Sequence, residues 1–204
     1  MTKGMTIAYE VDGALYLNVT NRCSNRCEFC IRNNGDGAYG SDTLWLTREP
    51  GVDEILAATE RYNLEEYREL VFCGYGEPSY RLSDCVLVAR TLKKKHPNLK
   101  VRINTNGQSS LILGCDSAPM YEGAFDTVSI SLNTPSAKRY NEICHPVFDN
   151  SFDAILKFAK NVKNYVHNVV FSVVRETLSS EELRECELIA KDAGVALKVR
   201  SLIT

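Results

Sequence analysis

ALYLNVTNRCSNRCEFCIRNN, residues 14–34, begins as a strand and ends as a cluster of cysteines. Over 14–20, Leu15, Leu17 and Val19 alternate with Tyr16, Asn18 and Thr20, and residues two apart in a strand share a face. Cys23, Cys27 and Cys30 then follow in C-x3-C-x2-C spacing, while the chain's other five cysteines stand singly. A loop at the C-terminal end of a strand is where parallel α/β architectures place their chemistry, so this stretch ties the fold to the site.

Outward from it, β-branched runs bounded by Gly, Pro, Asn or Asp recur at 69–75, 99–105, 126–133, 168–174 and 195–203. Helical periods lie between them. Val52, Ile55, Leu56, Thr59 and Tyr62 share one helix face, as do Phe152, Ile155, Leu156, Ala159 and Val162. Leu82, Val86, Ala89 and Leu92, and Leu183, Cys186, Ala190 and Ala193, repeat the pattern. Pro135 after Thr134 suits a first helical position, and Ser179 with Glu182 has capping-box spacing.

Strands alternating with helices predict right-handed βαβ units and a parallel sheet. Six strands in 204 residues fit an open partial (β/α)6 barrel or a doubly wound sheet, since a closed eightfold barrel needs about 250 residues. We expect the α/β open barrel with parallel strands, as a single domain over residues 1–204.

Hydrophobic residues at 44% and charged residues at 25% match ordinary globular domains. A net charge of −2 gives no footprint for nucleic acid. The start, MTKGMTIAYEVDG, has no apolar signal region, and no run of 18 apolar residues predicts a membrane span. A cytoplasmic location is expected, where thiols stay reduced and eight cysteines read as ligands, reactive thiols or small core residues.

Strand alternation puts Tyr16, Asn18 and Thr20 with Arg102, Asn104 and Asn106, Ser129, Ser131 and Asn133, and Lys198 and Arg200 opposite the apolar face. This set reads as a polar lumen for a polar or anionic ligand, or as a solvated face, which is uncommon in parallel sheets.

A structural zinc site needs four closed ligands, usually as two pairs, and no second CxxC or HxxxH is present. Iron–sulfur carriers also use four thiolates, so three imply one iron left open. Cys23-Ser-Asn-Arg-Cys27-Glu-Phe29-Cys30 resembles the signature of the radical S-adenosylmethionine superfamily. The resemblance implies a [4Fe–4S] cluster on Cys23, Cys27 and Cys30, its fourth iron chelated by S-adenosylmethionine. It also implies reductive cleavage to a 5′-deoxyadenosyl radical that abstracts hydrogen from a substrate.

Other motifs are similar to the same family's. Cys73-Gly74-Tyr75-Gly76-Glu77-Pro78 resembles its GxGEP form, with Glu77 expected to face the methionyl amine and Gly76 to give backbone access. Asn104-Thr105-Asn106-Gly107 is similar to its TNG ending, or a simple turn. Ser131 and Asn133 would meet the ribose hydroxyls, with a helix-cap role for Asn133 competing. Phe29 would pack near the adenine or serve as a core aromatic. Arg102, Arg175, Lys198 or Arg200 could hold the cofactor's carboxylate, and the fifth-strand adenine pattern is not clean in FSVVRET. LNVTNRCSNRCEFC, FCGYGEP and SISLN agree most with the TatD-associated radical SAM group.

The resemblance implies a flavodoxin or ferredoxin donor, oxygen sensitivity and a functional link to a TatD-type hydrolase. Three outcomes remain open: modification of a polar small molecule or nucleoside, activation of a protein partner, or a non-catalytic electron-transfer module. With the chain ending at 204, specificity is expected from barrel loops or a partner chain, and segment 32–50 is the best candidate for a substrate-facing loop. Cys73, Cys85, Cys115, Cys144 and Cys186 show no paired spacing, and Cys144-His145-Pro146 is either an acid–base pair or a plain loop. His96 reads as a helix-end residue and His167 carries no signal.

Overall fold

The computed structural model describes residues 5–202, in which seven strands form one sheet whose spatial order follows the chain. β1 (Ala8–Val11) and β2 (Ala14–Leu17) make an antiparallel hairpin, Ala8 opposite Leu17 and Val11 opposite Ala14. The turn is Asp12-Gly13, with φ of 45° and 73°, the two left-handed residues that a two-residue hairpin requires. β3 (Leu70–Phe72), β4 (Val101–Thr105), β5 (Thr127–Ser131), β6 (Asn168–Val174) and β7 (Ala196–Arg200) follow, each parallel to its predecessor.

The six parallel strands are those expected from sequence, and β1 is one more. Its four residues carry a charged glutamate and are too short to register as a strand by alternation, although Asp-Gly after Val11 is a hairpin signal. β2 is shorter than the run 14–20, and Asn18, just beyond it, ties the chain to three other segments. Its backbone N–H donates to Ile7 O (2.8 Å), its Nδ2 to Leu44 O (2.7 Å), and its Oδ1 accepts from Tyr75 N (3.3 Å).

A monotonic strand order also rules out the doubly wound alternative. That arrangement reverses direction at a switch point, whereas right-handed crossovers running one way put every helix on one face. The sheet stays open, with β1 at one edge and β7 at the other.

The helices are α1 (Val52–Thr59), α2 (Leu82–Lys95), α3 (Ser109–Leu113), α4 (Ala137–Cys144), α5 (Ser151–Val162) and α6 (Ser180–Ala193). The four periods read from sequence correspond to α1, α2, α5 and α6. The capping box of α6 is complete, Glu182 N donating to Ser179 Oγ and Ser179 N to Glu182 Oε2 (2.8 Å). Pro135 does not open a helix: α4 starts at Ala137 with Ser136 as its cap, accepting from Arg139 N (3.3 Å).

Leu15, Leu17, Leu70, Phe72, Ile103, Val128, Ile130, Phe171 and Val173 face the helices and are fully buried with Ile155 and Phe158. Each such side chain contributes about 1.5–3 kcal/mol relative to exposure. On the opposite face Tyr16, Arg102, Asn104, Ser129, Ser131 and Ser172 interleave with Val71 and Val174, so the concave side is mixed rather than wholly polar. No helix among the described residues is long and apolar enough to cross a membrane.

Candidate active site

The loop after β2 is sewn into the C-terminal mouth of the sheet from three directions. From β3's side, Glu77 N donates to Arg22 O (2.8 Å). From β4's end, Asn106 Nδ2 donates to Ser24 Oγ (2.8 Å) and Gln108 Nε2 to Asn25 Oδ1 (2.9 Å). From α4, Cys144 O and Ile143 O accept from Arg26 N (2.9 Å) and Glu28 N (3.0 Å). Asn25 Nδ2 further donates to the buried Tyr140 hydroxyl (2.7 Å).

This explains the two glycines of GYGEP. A Cβ on Gly76 would strike the carbonyls of Thr20 and Arg22, and one on Gly74 the side chain of Asn18. The close approach that Gly76 permits is therefore that of the cysteine loop's own backbone.

Cys23, Cys27 and Cys30 are half-buried on this loop, with Cys30 N donating to Cys27 O (3.1 Å). Burial pushes the Cys23 thiol up to about 12, helped by the Glu77 carboxylate and opposed by the Asn25 amide. Cys27 is raised further, first by its hydrogen bond with Cys144 and then by burial. Among the described residues no three Cys, His, Asp or Glu side chains already converge as a metal-binding group. The loop gathers the trio, and the backbone bonds of Arg26 and Glu28 hold Cys27 at the end of α4. All eight cysteines are free thiols.

Glu77 is 4% exposed. Its Oε1 accepts from Ser79 N (3.0 Å) and Thr105 Oγ1 (2.7 Å), and its Oε2 from Asn106 N (2.6 Å). Burial raises its pKa above the usual carboxylate range against those donors. The carboxylate thus joins the ends of β3 and β4, and Oε2 keeps capacity for a second donor.

Asn104 lies on the concave face, its Oδ1 accepting from Arg102 Nη1 (2.6 Å). Ser131 ends β5 half-buried, in register with Ser172. Asn133 sits in the left-handed region (φ 64°) and is 2% exposed. Its Nδ2 donates to Cys144 Sγ (3.4 Å) while its Oδ1 has no partner among the described residues. It does not cap α4, whose cap is Ser136. Phe29 is half-buried and packs against the main core.

Of the cations, Arg102 is held by both oxygens of Glu69 (3.0 and 2.9 Å), and Arg175 donates to Leu178 O (3.0 Å). Lys198 is exposed and Arg200 half-buried on β7, and among the described residues neither pairs with a carboxylate. Arg200 bears electrostatically on Cys73 and Tyr39.

Segment 32–50 folds over the concave face at the β1–β2 edge. Ala38 and Leu44 pack with Tyr9, Val11 and Tyr75, Tyr75 Oη donates to Gly35 O (2.8 Å), and Trp45 stands edge-on to Tyr75 at 5.1 Å. Cys144 and His145 do not act as a pair: Cys144 is buried, while His145 is outside with Nε2 3.4 Å from Glu28 Oε1. Sequence reasoning missed Ser24, Asn25, Gln108 and Tyr140, whose bonds span 32 to 115 residues and leave no local signal.

An open parallel barrel with a tri-cysteine loop at its C-terminal mouth defines a class of protein, and comparison places the chain within it. The sequence model of the Radical SAM superfamily matches residues 17–188, and the chain belongs to that superfamily. Members of this family work with a [4Fe–4S] cluster and S-adenosylmethionine. The GTP 3′,8-cyclase of Lactiplantibacillus plantarum is 32% identical over 127 residues, 62% of this chain and 35% of that protein.

Among solved structures, Streptococcus suis SuiB bound to its precursor peptide SuiA superposes with a TM-score of 0.67 at 18% identity, over 93% of this chain and 39% of that one. The same protein bound to S-adenosylmethionine gives 0.60 at 18% identity, over 92% and 38%. These show the fold. The chain spans about a third of the cyclase, and the relatives compared lend no support to the TatD-associated resemblance.

The residues present fit the family's cofactors. Three thiols on one pinned loop supply soft donors without a fourth from the same loop, and an orphaned, almost fully buried amide oxygen on Asn133 is suited to a hydroxyl donor.

Proposed function

We propose that Cys23, Cys27 and Cys30 hold the [4Fe–4S] cluster and leave one iron to S-adenosylmethionine. The chain is then the core of an enzyme acting on a polar substrate, for which a purine nucleoside triphosphate is the leading candidate. When bound, the two cofactors supply reductive cleavage of the sulfonium, giving methionine and a hydrogen-abstracting 5′-deoxyadenosyl radical. The observation that carries the reading is the tri-cysteine loop, clamped by β3, β4 and α4 at the mouth where parallel barrels keep their sites.

The remaining roles belong to this chain's own side chains. Glu77 holds the cysteine loop against β4 and offers Oε2 to the methionyl ammonium, beside the backbone of Gly76. Asn133 Oδ1, with Ser131, accepts from the ribose hydroxyls. Phe29 lines the adenine side, and Asn104 keeps Arg102 turned along the concave face. Arg200 and Lys198, free of carboxylates among the described residues, attract a phosphate-bearing substrate. A low-potential flavodoxin or ferredoxin supplies the electron.

The activity for which the cyclase relatives are named supports the nucleotide, as does Arg200, which bears electrostatically on Tyr39 and Cys73 and has no carboxylate partner among the described residues. The test is anaerobic reconstitution, addition of S-adenosylmethionine and dithionite, and chromatography for 5′-deoxyadenosine. Formation that rises several-fold with GTP supports the reading, and its absence overturns it. A second reading rests on the agreement of 17–30, 72–78 and 129–133 with the TatD-associated group, in which a TatD-type hydrolase serves a neighbouring step. Deoxyadenosine formation indifferent to GTP but stimulated by a non-nucleotide extract fraction would favour it.

A further inference from the structure

Cys30 is followed directly by a single 3-10 turn, Ile31–Asn33, whose middle residue, Arg32, reaches back to the first cysteine of the loop. Its Nη1 donates to Asn21 O (3.5 Å) and its Nη2 to Asn25 O (3.3 Å), so one guanidinium holds the chain on both sides of Cys23. Between those points Asn25 N donates to Cys23 Sγ (3.5 Å) and closes the turn. The ring of Trp45 lies 5.9 Å from Arg32 Cζ, within cation–π reach, and is itself set edge-on against Tyr75.

Arg32 differs from the other arginines of this loop. Arg22 shares its charge with Glu49 at 2.7 Å, and Arg26 is exposed. Half-buried Arg32 donates to carbonyls, and among the described residues no carboxylate pairs with it. A guanidinium stays protonated in proteins, so a full positive charge is held against the Cys23 segment.

We propose that Arg32 is a positioning residue for the cluster: it clamps the segment around Cys23 and places an uncancelled positive charge beside that ligand, which raises the cluster's reduction potential. The direction follows from charge. Reduction adds one negative charge to the cluster, a nearby fixed cation attracts the reduced form more strongly, and net charge is among the factors that set such potentials. The inference rests on Cys23 being a cluster ligand, as proposed above.

The test compares reconstituted wild type with Arg32→Met, Arg32→Gln and Arg32→Lys by iron and sulfide content and by redox titration followed with electron paramagnetic resonance. The methionine and glutamine variants are expected to titrate at a lower midpoint, and the lysine variant to stay nearer the wild-type value. Glutamine keeps a donor for one of the two carbonyls and carries the comparison if methionine prevents loading. A wild-type midpoint in either neutral variant overturns the inference. So does a lysine variant that falls as far as the neutral ones, which would assign the effect to the lost carbonyl bonds instead of the charge. A cluster that survives Cys23→Ala with unchanged iron content refutes the ligand assignment and the inference with it.

Discussion

The two halves of the barrel mouth are built differently. Around the ends of β2, β3 and β4, Asn18, Ser24, Asn25, Glu77, Thr105 and Asn106 all hold one another or neighbouring backbone. Among the described residues, Ser79 Oγ and Gln108 Oε1 are the buried polar atoms left over there. Around the ends of β5 and β7, Asn133 Oδ1 has no partner, Arg200 and Lys198 have no carboxylate among the described residues, and Val199 is exposed. The first half is a frame that fixes the cysteine loop. The second leaves exposed or half-buried cations and one buried amide oxygen without a protein partner, and the desolvation cost of that oxygen is one a ligand would offset.

The comparison breaks most completely at the thiols. Alanine at Cys23, Cys27 or Cys30 should abolish the iron–sulfur absorbance and deoxyadenosine formation, while leaving far-UV circular dichroism unchanged because the frame does not depend on the thiols. A variant that keeps its cluster would show that the frame holds the wrong residues.

Glu77 is the next largest. Glu77→Ala strands three donors inside the frame, and the expected loss in denaturant-measured stability is about 2–4 kcal/mol. Because burial raises the folded-state pKa of Glu77, the folded chain keeps this proton to higher pH than the unfolded chain does. The resulting contribution is present below the unfolded pKa and fades as pH rises through the folded one. Wild-type stability relative to Glu77→Gln should therefore fall as pH climbs above the ordinary carboxylate range. A gap that widened instead would mean that the three donors outweigh burial.

On the open half, Asn133→Gly separates ligand binding from folding. Glycine tolerates φ of 64° without strain and removes an unsatisfied buried oxygen, so stability should hold. Losing a hydrogen bond to the ribose should weaken S-adenosylmethionine binding about tenfold, worth about 1.4 kcal/mol, by calorimetry on the cluster-loaded protein. Unchanged affinity would remove Asn133 from the binding site.

How much of this was legible follows the same division. β2 to β7 and four helices could be read because period-2 and period-3.6 patterns are local, and the cysteine loop because its spacing is. β1 was lost to its length, although Asp12-Gly13 marks its turn. Gly76 was legible as a site of close approach, but the approaching partner, Thr20, lies on another strand's loop and has no sequence signature. The bonds from Arg26 and Glu28 to the last carbonyls of α4 were hidden in the same way, since only the packing of α4 on the cysteine loop brings them together.

Arg200 carries the smallest structural effect and the finest distinction. Arg102, gripped by Glu69, Asn104 and Tyr16, belongs to the frame, whereas half-buried Arg200 bears electrostatically on Cys73 and Tyr39 and has no carboxylate partner among the described residues. Arg200→Ala should change stability by no more than about 0.5 kcal/mol, as for a surface position. Removing one cation from the proposed phosphate-binding face should raise the GTP concentration for half-maximal deoxyadenosine formation about tenfold at low salt, an effect of about 1.4 kcal/mol. The increase should shrink at higher ionic strength, where screening already weakens the attraction in the wild type. Equal effects at all salt concentrations would indicate that Arg200 shapes the sheet edge instead of attracting charge, and would move β7 to the same side of the comparison as β3 and β4.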